Sequence, residues 1–320
     1  MRRTGKALLA VLMLLGLIGV GAVFLTRQPI DLAAYPEGAV ASQAAAADVD
    51  LRFTILPTAT TTAPEGVMFE GGSWFRLRTM DHSAVLICHP QGFVLFDTGL
   101  GRAIDSQFTE FPLLTRSSFG YRVLETLAEV VDRDDPCPGR PLRIIPSHLH
   151  WDHAGGVEDF PGAEVWIQPE ELQQARNGGV DQGFLPGEID STTINWHPFA
   201  FDDQPYEQFP RSLDVFDDGS LILVPMAGHT EGSVGLFLTT GGQRYFFTGD
   251  TTWALEGFLR PAHKFFAARS LADLDLPRLE AEIVGVHRLI ARDPALIVIP
   301  AHDAAAYPAA AVYPLWAGRQ

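Results

Sequence analysis

The sequence predicts an α+β domain of mixed layers, carried behind one N-terminal transmembrane helix. Three observations predict it. Short apolar runs of strand length recur between residues 51 and 299, while two stretches among them carry a helical stripe, which favours mixed layers over an all-β sandwich. Five of those runs end in histidine or aspartate. Ahead of them stands an uncharged run from Ala7 to Leu25, just long enough to cross a bilayer.

Arg2, Arg3 and Lys6 precede that run and only Arg27 follows it closely, which places the N-terminus in the cytoplasm and the body outside the inner membrane of a bacterial host. A cleaved signal calls for a shorter apolar core and a small-x-small site. Here Leu25 is followed by Thr26-Arg27-Gln28-Pro29, so an uncleaved anchor is preferred, with secretion after cleavage as the alternative. The division is a stub at 1–6, the anchor at 7–25, a Pro- and Ala-rich linker at 26–50 without an apolar face to bury, and a folded body at 51–320.

Within the body, Leu51 to Leu56 alternates at period two and Trp74 to Leu77 opens a second strand-like segment. Ser83–Cys88 and Phe93–Phe96 flank the turn His89-Pro90-Gln91-Gly92 and form a hairpin ending in Asp97-Thr98-Gly99. Tyr121–Val131 carries a helical stripe, and Leu142 to Pro146 is a short strand. Ala163–Ile167 is another strand, followed by a helix starting at Pro169-Glu170-Glu171. Residues 177–212 resist assignment; their Trp196, Phe199 and Phe201 either pack the segment down or line a pocket. Strands at 221–225, 234–239 and 244–247, a helix at 277–292 and a last strand at 295–299 complete the body.

The chemistry concentrates at His148-Leu149-His150-Trp151-Asp152-His153, which holds three of the chain's ten histidines and a carboxylate within six residues. Neutral imidazole and carboxylate suit zinc and similar ions, so this loop reads as a metal site. His229, Asp250 and His302 also stand just past the ends of apolar strands, where they can converge on one rim. Seven donors exceed one tetrahedral ion and suit two adjacent ones. Asp97, at the end of the hairpin, is either a ligand or a partner that holds an imidazole. His89 and His287 read as structural; His82, His197 and His263 stay unranked. Cys88 reads as a small buried side chain, and its pairing with Cys137 is left open. A net charge of −16 without a Lys/Arg cluster after residue 6 argues against nucleic acid as substrate.

The motif H-x-H-x-D-H, followed in order by a single histidine, an aspartate and a histidine, with Asp-Thr-Gly upstream, resembles the metallo-β-lactamase superfamily. The resemblance spans about residues 51–303 and implies a four-layered αββα sandwich with a dinuclear site along one edge of the sheets. It further implies that His148, His150 and His229 hold one divalent ion, most readily zinc, with iron, manganese or cobalt as alternatives. Asp152, His153 and His302 would hold the second, Asp250 would bridge, and Asp97 would stand behind the ligands. A hydroxide between the ions would attack a carbonyl or phosphoryl centre, with Asp152 relaying a proton. Members specialised for β-lactams usually lack the aspartate found here as Asp250, and redox di-iron members typically replace the histidine found here as His150. The N-acyl-homoserine-lactonase-like group is nearest in look, through residues 94–100 and 228–234. Those lactonases carry a tyrosine where this chain has Trp253, whose indole can donate a hydrogen bond but cannot shuttle a proton. The expectation is a lactonase or other ester hydrolase acting on a small molecule. A thioesterase, a phosphodiesterase or organophosphate hydrolase, and a non-catalytic metal-binding protein are the alternatives.

Overall fold

The computed structural model describes residues 29–38, 40–41, 49–118, 120–137 and 142–318. The proposed anchor at 7–25 lies outside the described residues; among those described, no helix is long and apolar enough to cross a membrane.

Among the described residues, thirteen strands form two sheets. The first contains β1 (Arg52–Pro64), β2 (Leu77–His89), β3 (Gly92–Phe96), β4 (Arg122–Val123), β5 (Leu142–Ile145), β6 (Glu164–Ile167), β7 (Asn195–Pro198) and β13 (Ala317–Gly318). Its order is β13-β1-β2-β3-β5-β6-β7, with β4 paired to β1. The second runs β12-β11-β10-β9-β8, where β8 is Leu213–Asp214, β9 Leu221–Pro225, β10 Val234–Thr240, β11 Gln243–Phe247 and β12 Ile297–Ile299.

Side-chain alternation explains why the strands read as continuous apolar runs: both faces of each sheet are buried. Val85 and Ile87 of β2, Val94 and Phe96 of β3, Leu221 and Leu223 of β9 and Leu236 and Leu238 of β10 meet in a core between the sheets. Their neighbours point the other way. Leu86 and Leu95 join Leu127, Val130 and Leu172 from helices Leu127–Asp134 and Pro169–Gly178 on the outer face of the first sheet. Ile222, Phe237 and Phe246 pack against Leu279, Ile283 and Val286 of helix Leu276–Arg292 on the outer face of the second. The layers are therefore helix, sheet, sheet, helix.

Direction of travel brings the strand ends to one rim. β3 and β5 are parallel, as are β11 and β12, and β9 runs with β11 because both are antiparallel to β10. Asp97, the 148–153 loop, His229, Asp250 and His302 consequently leave the sheets on the same side.

The structure departs from expectation in several places. The helix expected over Tyr121–Val131 begins only at Leu127, where Thr126 and Glu129 form a capping box. Within its expected first half, Arg122–Val123 form β4, because Ala59 and Thr60 of β1 offer a pairing edge to Val123 and Arg122. Residues 74–76 are not strand; β2 starts at Leu77 and β1 runs longer than its alternating start. Part of the expected linker is docked: Ile30 enters the core under helix Leu276–Arg292, and Arg288 donates to the Tyr35 and Leu32 carbonyls. Cys88 is buried as read, but it is joined to Cys137 by a disulfide across a Cα–Cα distance of 5.6 Å. By loop-closure entropy, a crosslink over 49 residues is worth about 4 kcal/mol.

Candidate metal centre

Three of the predicted histidine ligands are held from behind. Asp97 sits in the left-handed region at φ 58°, a conformation few non-glycine residues adopt. There its carboxylate accepts from the Ser147 amide, the Ser147 hydroxyl and, at 2.9 Å, His153 Nδ1. His302 Nδ1–H donates to the Asp81 carbonyl at 2.7 Å, and His229 Nδ1–H to Asp273 Oδ1 at 2.7 Å. With the outer nitrogens of these three rings donating, their Nε2 lone pairs face inward. Backbone freedom matters at Gly228: a Cβ there would meet the Leu279 amide at 2.5 Å, so only glycine lets the chain pass beneath the helix to deliver His229.

Two groups of inward donors result. His148 Nε2, His150 Nδ1 and His229 Nε2 lie 3.0 to 3.2 Å from one another. Beside them, His302 Nε2 lies 3.3 Å from His153 Nε2 and 3.4 Å from Asp152 Oδ2. Asp250 stands between the groups. Its Oδ1 is 3.2 Å from His153 Nε2 and 3.1 Å from His302 Nε2, and its Oδ2 is 3.6 Å from His229 Nε2. All seven predicted ligand residues are thus brought together and buried.

This donor set fits cations. A tetrahedral zinc with Zn–N of about 2.1 Å keeps its ligands about 3.4 Å apart, close to the spacings found. Lone pairs facing each other at such distances repel unless a cation lies between them. Among the described residues, buried Asp250 Oδ1 has the inward imidazole nitrogens beside it but no hydrogen bond of good geometry, which suits a metal-binding oxygen.

Electrostatics divide the two groups. Burial, reinforced by neighbouring imidazoles, holds His148 well below its ordinary pKa and pushes His150 down to about 3. Burial and the Lys264 ammonium also lower His229. Burial opposes charge on His153 and His302 too, but there the carboxylates of Asp250 and Asp152 outweigh it and raise both rings. The first group is neutral at pH 7; the second draws protons that a cation would replace.

Four supporting residues were not identified from the sequence. His82 Nδ1 lies 3.0 Å from Asp152 Oδ2, and His82, Asp152 and His302 together offer three donor atoms within 4.8 Å. Glu171 is fully buried and accepts from the Leu149 and Gly232 amides, tying the motif loop to the His229 loop. Lys264 and Asp273 form a buried ion pair at 2.5 Å behind His229. One signal was available: the chain has only two lysines, Lys6 and Lys264, and the second lies in an otherwise apolar and aromatic stretch.

Trp253 donates its indole N–H to Asp250 Oδ2 at 2.7 Å, beside the site as expected. The other three aromatic candidates do not join it. Phe199 and Phe201 pack into the core between the sheets, and Trp196 lies on edge strand β7 against the outer core. Edge-strand alternation, unreadable in so irregular a stretch, puts them there. From the same stretch it is Phe184 that reaches the site, 4.9 Å from the His150 ring. The aromatic wall comes instead from Trp151, within the motif itself, against Phe108, Phe111 and Tyr121.

A two-sheet sandwich flanked by helices, with paired histidine–carboxylate clusters at one rim, is the architecture of a metallo-hydrolase. The family model of the metallo-beta-lactamase superfamily matches residues 77–302, and the chain belongs to that superfamily. Among curated relatives, a probable metallo-hydrolase of Mycobacterium tuberculosis is 27% identical over 241 residues, covering 68% of this chain and 75% of its own length. An N-acyl homoserine lactonase of Azorhizobium caulinodans is 27% identical over 233 residues, covering 65% and 80%. A solved N-acyl homoserine lactone hydrolase with N-hexanoyl-L-homoserine at its metal centre superposes with a TM-score of 0.65 at 18% identity, covering 83% of this chain and 98% of that one. A dizinc quorum-quenching lactonase superposes with a TM-score of 0.57 at 16% identity, covering 80% and 88%. At those identities the two structures establish the fold.

Proposed function

We propose that this protein is a dinuclear metal-dependent hydrolase of ester-type carbonyls, with lactones or related small esters as substrates. The observation that carries the reading is the pair of inward donor groups bridged by Asp250. His148, His150 and His229 would hold one divalent ion; Asp152, His153 and His302 would hold the other, and zinc suits the nitrogen-rich set. When bound, two such ions acidify water and polarise a carbonyl.

The chain's own residues supply the rest. Asp250 reaches one group through Oδ1 and the other through Oδ2, and Trp253 Nε1–H pins Oδ2 in place. Asp152 accepts from His82 at Oδ2, which leaves Oδ1 to take the proton given up by the attacking water and pass it to the leaving alkoxide. Trp151 and its aromatic neighbours offer an apolar wall beside the site, suited to an acyl chain. Related lactonases favour a lactone; the absence of a tyrosine at position 253 leaves thioesters as the second reading. The Cys88–Cys137 disulfide supports a body outside the cytoplasm, behind an anchor at 7–25.

Metal analysis of the purified protein, with hydrolysis assays on lactone, thioester and phosphodiester panels, tests the reading. About two equivalents of metal and lactone turnover abolished in Asp250→Ala are expected. Full activity in Asp250→Ala overturns the dinuclear reading, and turnover of thioesters alone overturns the lactone.

A further inference from the structure

The loop between residues 71 and 77 presents side chains that a water-facing surface does not explain. Phe75 is 99% exposed, Leu77 64% and Trp74 38%, with Leu259 nearby in sequence to the exposed Arg260. Arg76 is largely exposed with its guanidinium 3.6 Å from the Glu65 carboxylate, so a patch of Trp, Phe and Leu carries guanidinium groups in a chain of net charge −16. That combination is the composition of a surface that sits in the headgroup region of a bilayer.

The path of the N-terminal segment points to the same face. Ile30 is buried under helix Leu276–Arg292, and Ile30 and Leu32 line one cavity with Glu70, Gly71, Arg260, Pro261 and Ala262. The chain therefore joins the domain directly beside the start of the Gly71–Leu77 loop. From Leu25, the end of the apolar run, to Ile30 there are five residue steps, about 17 Å even when fully extended. A domain of this size is about 40–50 Å across, so the faces remote from Ile30 cannot approach the membrane on so short a tether.

We propose that this face, with Trp74, Phe75, Leu77 and Leu259 at its tip and Arg76 and Arg260 among them, docks on the lipid bilayer and holds the domain in a fixed orientation. The inference rests on the reading of residues 7–25 as an uncleaved anchor. Phe75 and Leu77 enter the acyl boundary while the guanidinium groups meet lipid phosphates. Trp74, held edge-on against Phe265 at 4.9 Å, sits at headgroup level. The loop stands on the cluster of Met68, Phe69, Met80 and Trp253, so the docked face lies one packed layer from Asp250.

The full chain in nanodiscs of phosphatidylcholine and phosphatidylglycerol tests this, with matched discs whose acyl chains are brominated. Bromine quenches tryptophan at short range, and of the six tryptophans Trp74 is the one on this face. Emission is expected to fall in brominated discs, most of that loss is expected to vanish in Trp74→Phe, and Phe75→Trp is expected to add quenching. Phe75→Ser/Leu77→Ser is expected to weaken the quenching of Trp74 while the protein stays in the disc. Retention in the disc without Trp74-dependent quenching overturns the docking inference alone. Failure to be retained, with a mature chain lacking residues 7–25, overturns the anchor and the inference together. Quenching replaced by a Phe75-dependent dimer assigns the patch to a second copy and also overturns it.

Discussion

Replacing Lys264 by methionine tests the buried support behind His229. The ammonium is 1% exposed and the Asp273 side chain fully buried, with 2.5 Å between Nζ and Oδ1. His229 Nδ1–H shares that same oxygen, and Asp273 Oδ2 has no hydrogen-bond partner among the described residues. Burial raises the Asp273 carboxyl, but the ammonium and the imidazole outweigh it and hold it below its ordinary value. Lys264→Met keeps the volume and strands a buried carboxylate, a loss of about 3–5 kcal/mol. At roughly 2 °C per kcal/mol for a domain of this size, the metal-free protein should melt about 6–10 °C lower. The double variant Lys264→Met/Asp273→Asn removes both charges while the amide oxygen still accepts from His229. It should recover about 2 kcal/mol or more relative to Lys264→Met. Urea and thermal unfolding of the four metal-free proteins measure this cycle. A single-variant loss below about 1 kcal/mol, or simple additivity in the double, would refute the claim that the pair is coupled and buried.

Other expectations follow from the same geometry. His148, His150 and His229 are held neutral at pH 7, whereas His153 and His302 are raised, so the first metal equivalent should bind with little proton release and the second with more. Calorimetry in buffers of different ionisation heat measures it; equal release for both steps contradicts it. For His150 the folded pKa of about 3 lies below the unfolded value, so its neutral form contributes stability at neutral pH that is lost as pH falls through about 6.5 toward 3. Melting of His150→Asn should therefore depend less on pH in that window than melting of the parent, both metal-free. Trp253→Phe removes a hydrogen bond to a carboxylate and should lower kcat/KM about 10- to 100-fold at unchanged metal content; an unaffected rate rejects the positioning role. Cys88→Ala/Cys137→Ala should lose up to about 4 kcal/mol in urea unfolding, and reductant should reproduce the loss in the parent but not in the variant.

Much of this molecule was readable along the chain because its signals are local. Strands buried on both faces appear as apolar runs, and the donors stand immediately after them, so the seven candidate ligand residues could be selected before any contact was known. Order and spacing in one dimension sufficed for the family and for the αββα layering that it implies. Residues acting through distant partners left no such trace. His82 is an unranked histidine in the sequence until β2 is seen beside Asp152, and Asp273 carries no signal there until Lys264 and His229 close on it. The Tyr121–Val131 stripe fits a helix equally well along its whole length; only the free edge of β1 makes a strand of its start. Trp196, Phe199 and Phe201 had the right composition for a pocket, yet the pairing of β7 with β6 turned them toward the core and left the wall to Trp151.

The sequence by itself determined which side chains are candidates to hold metal, because donor type is a property of side chains and the strand ends that carry them are local. Tertiary structure alone decided which nitrogen of each ring faces inward, which charges stand behind it, and whether Cys88 and Cys137 meet. Those outcomes depend on distances of a few ångströms between residues tens to hundreds of positions apart, and no local pattern encodes such distances.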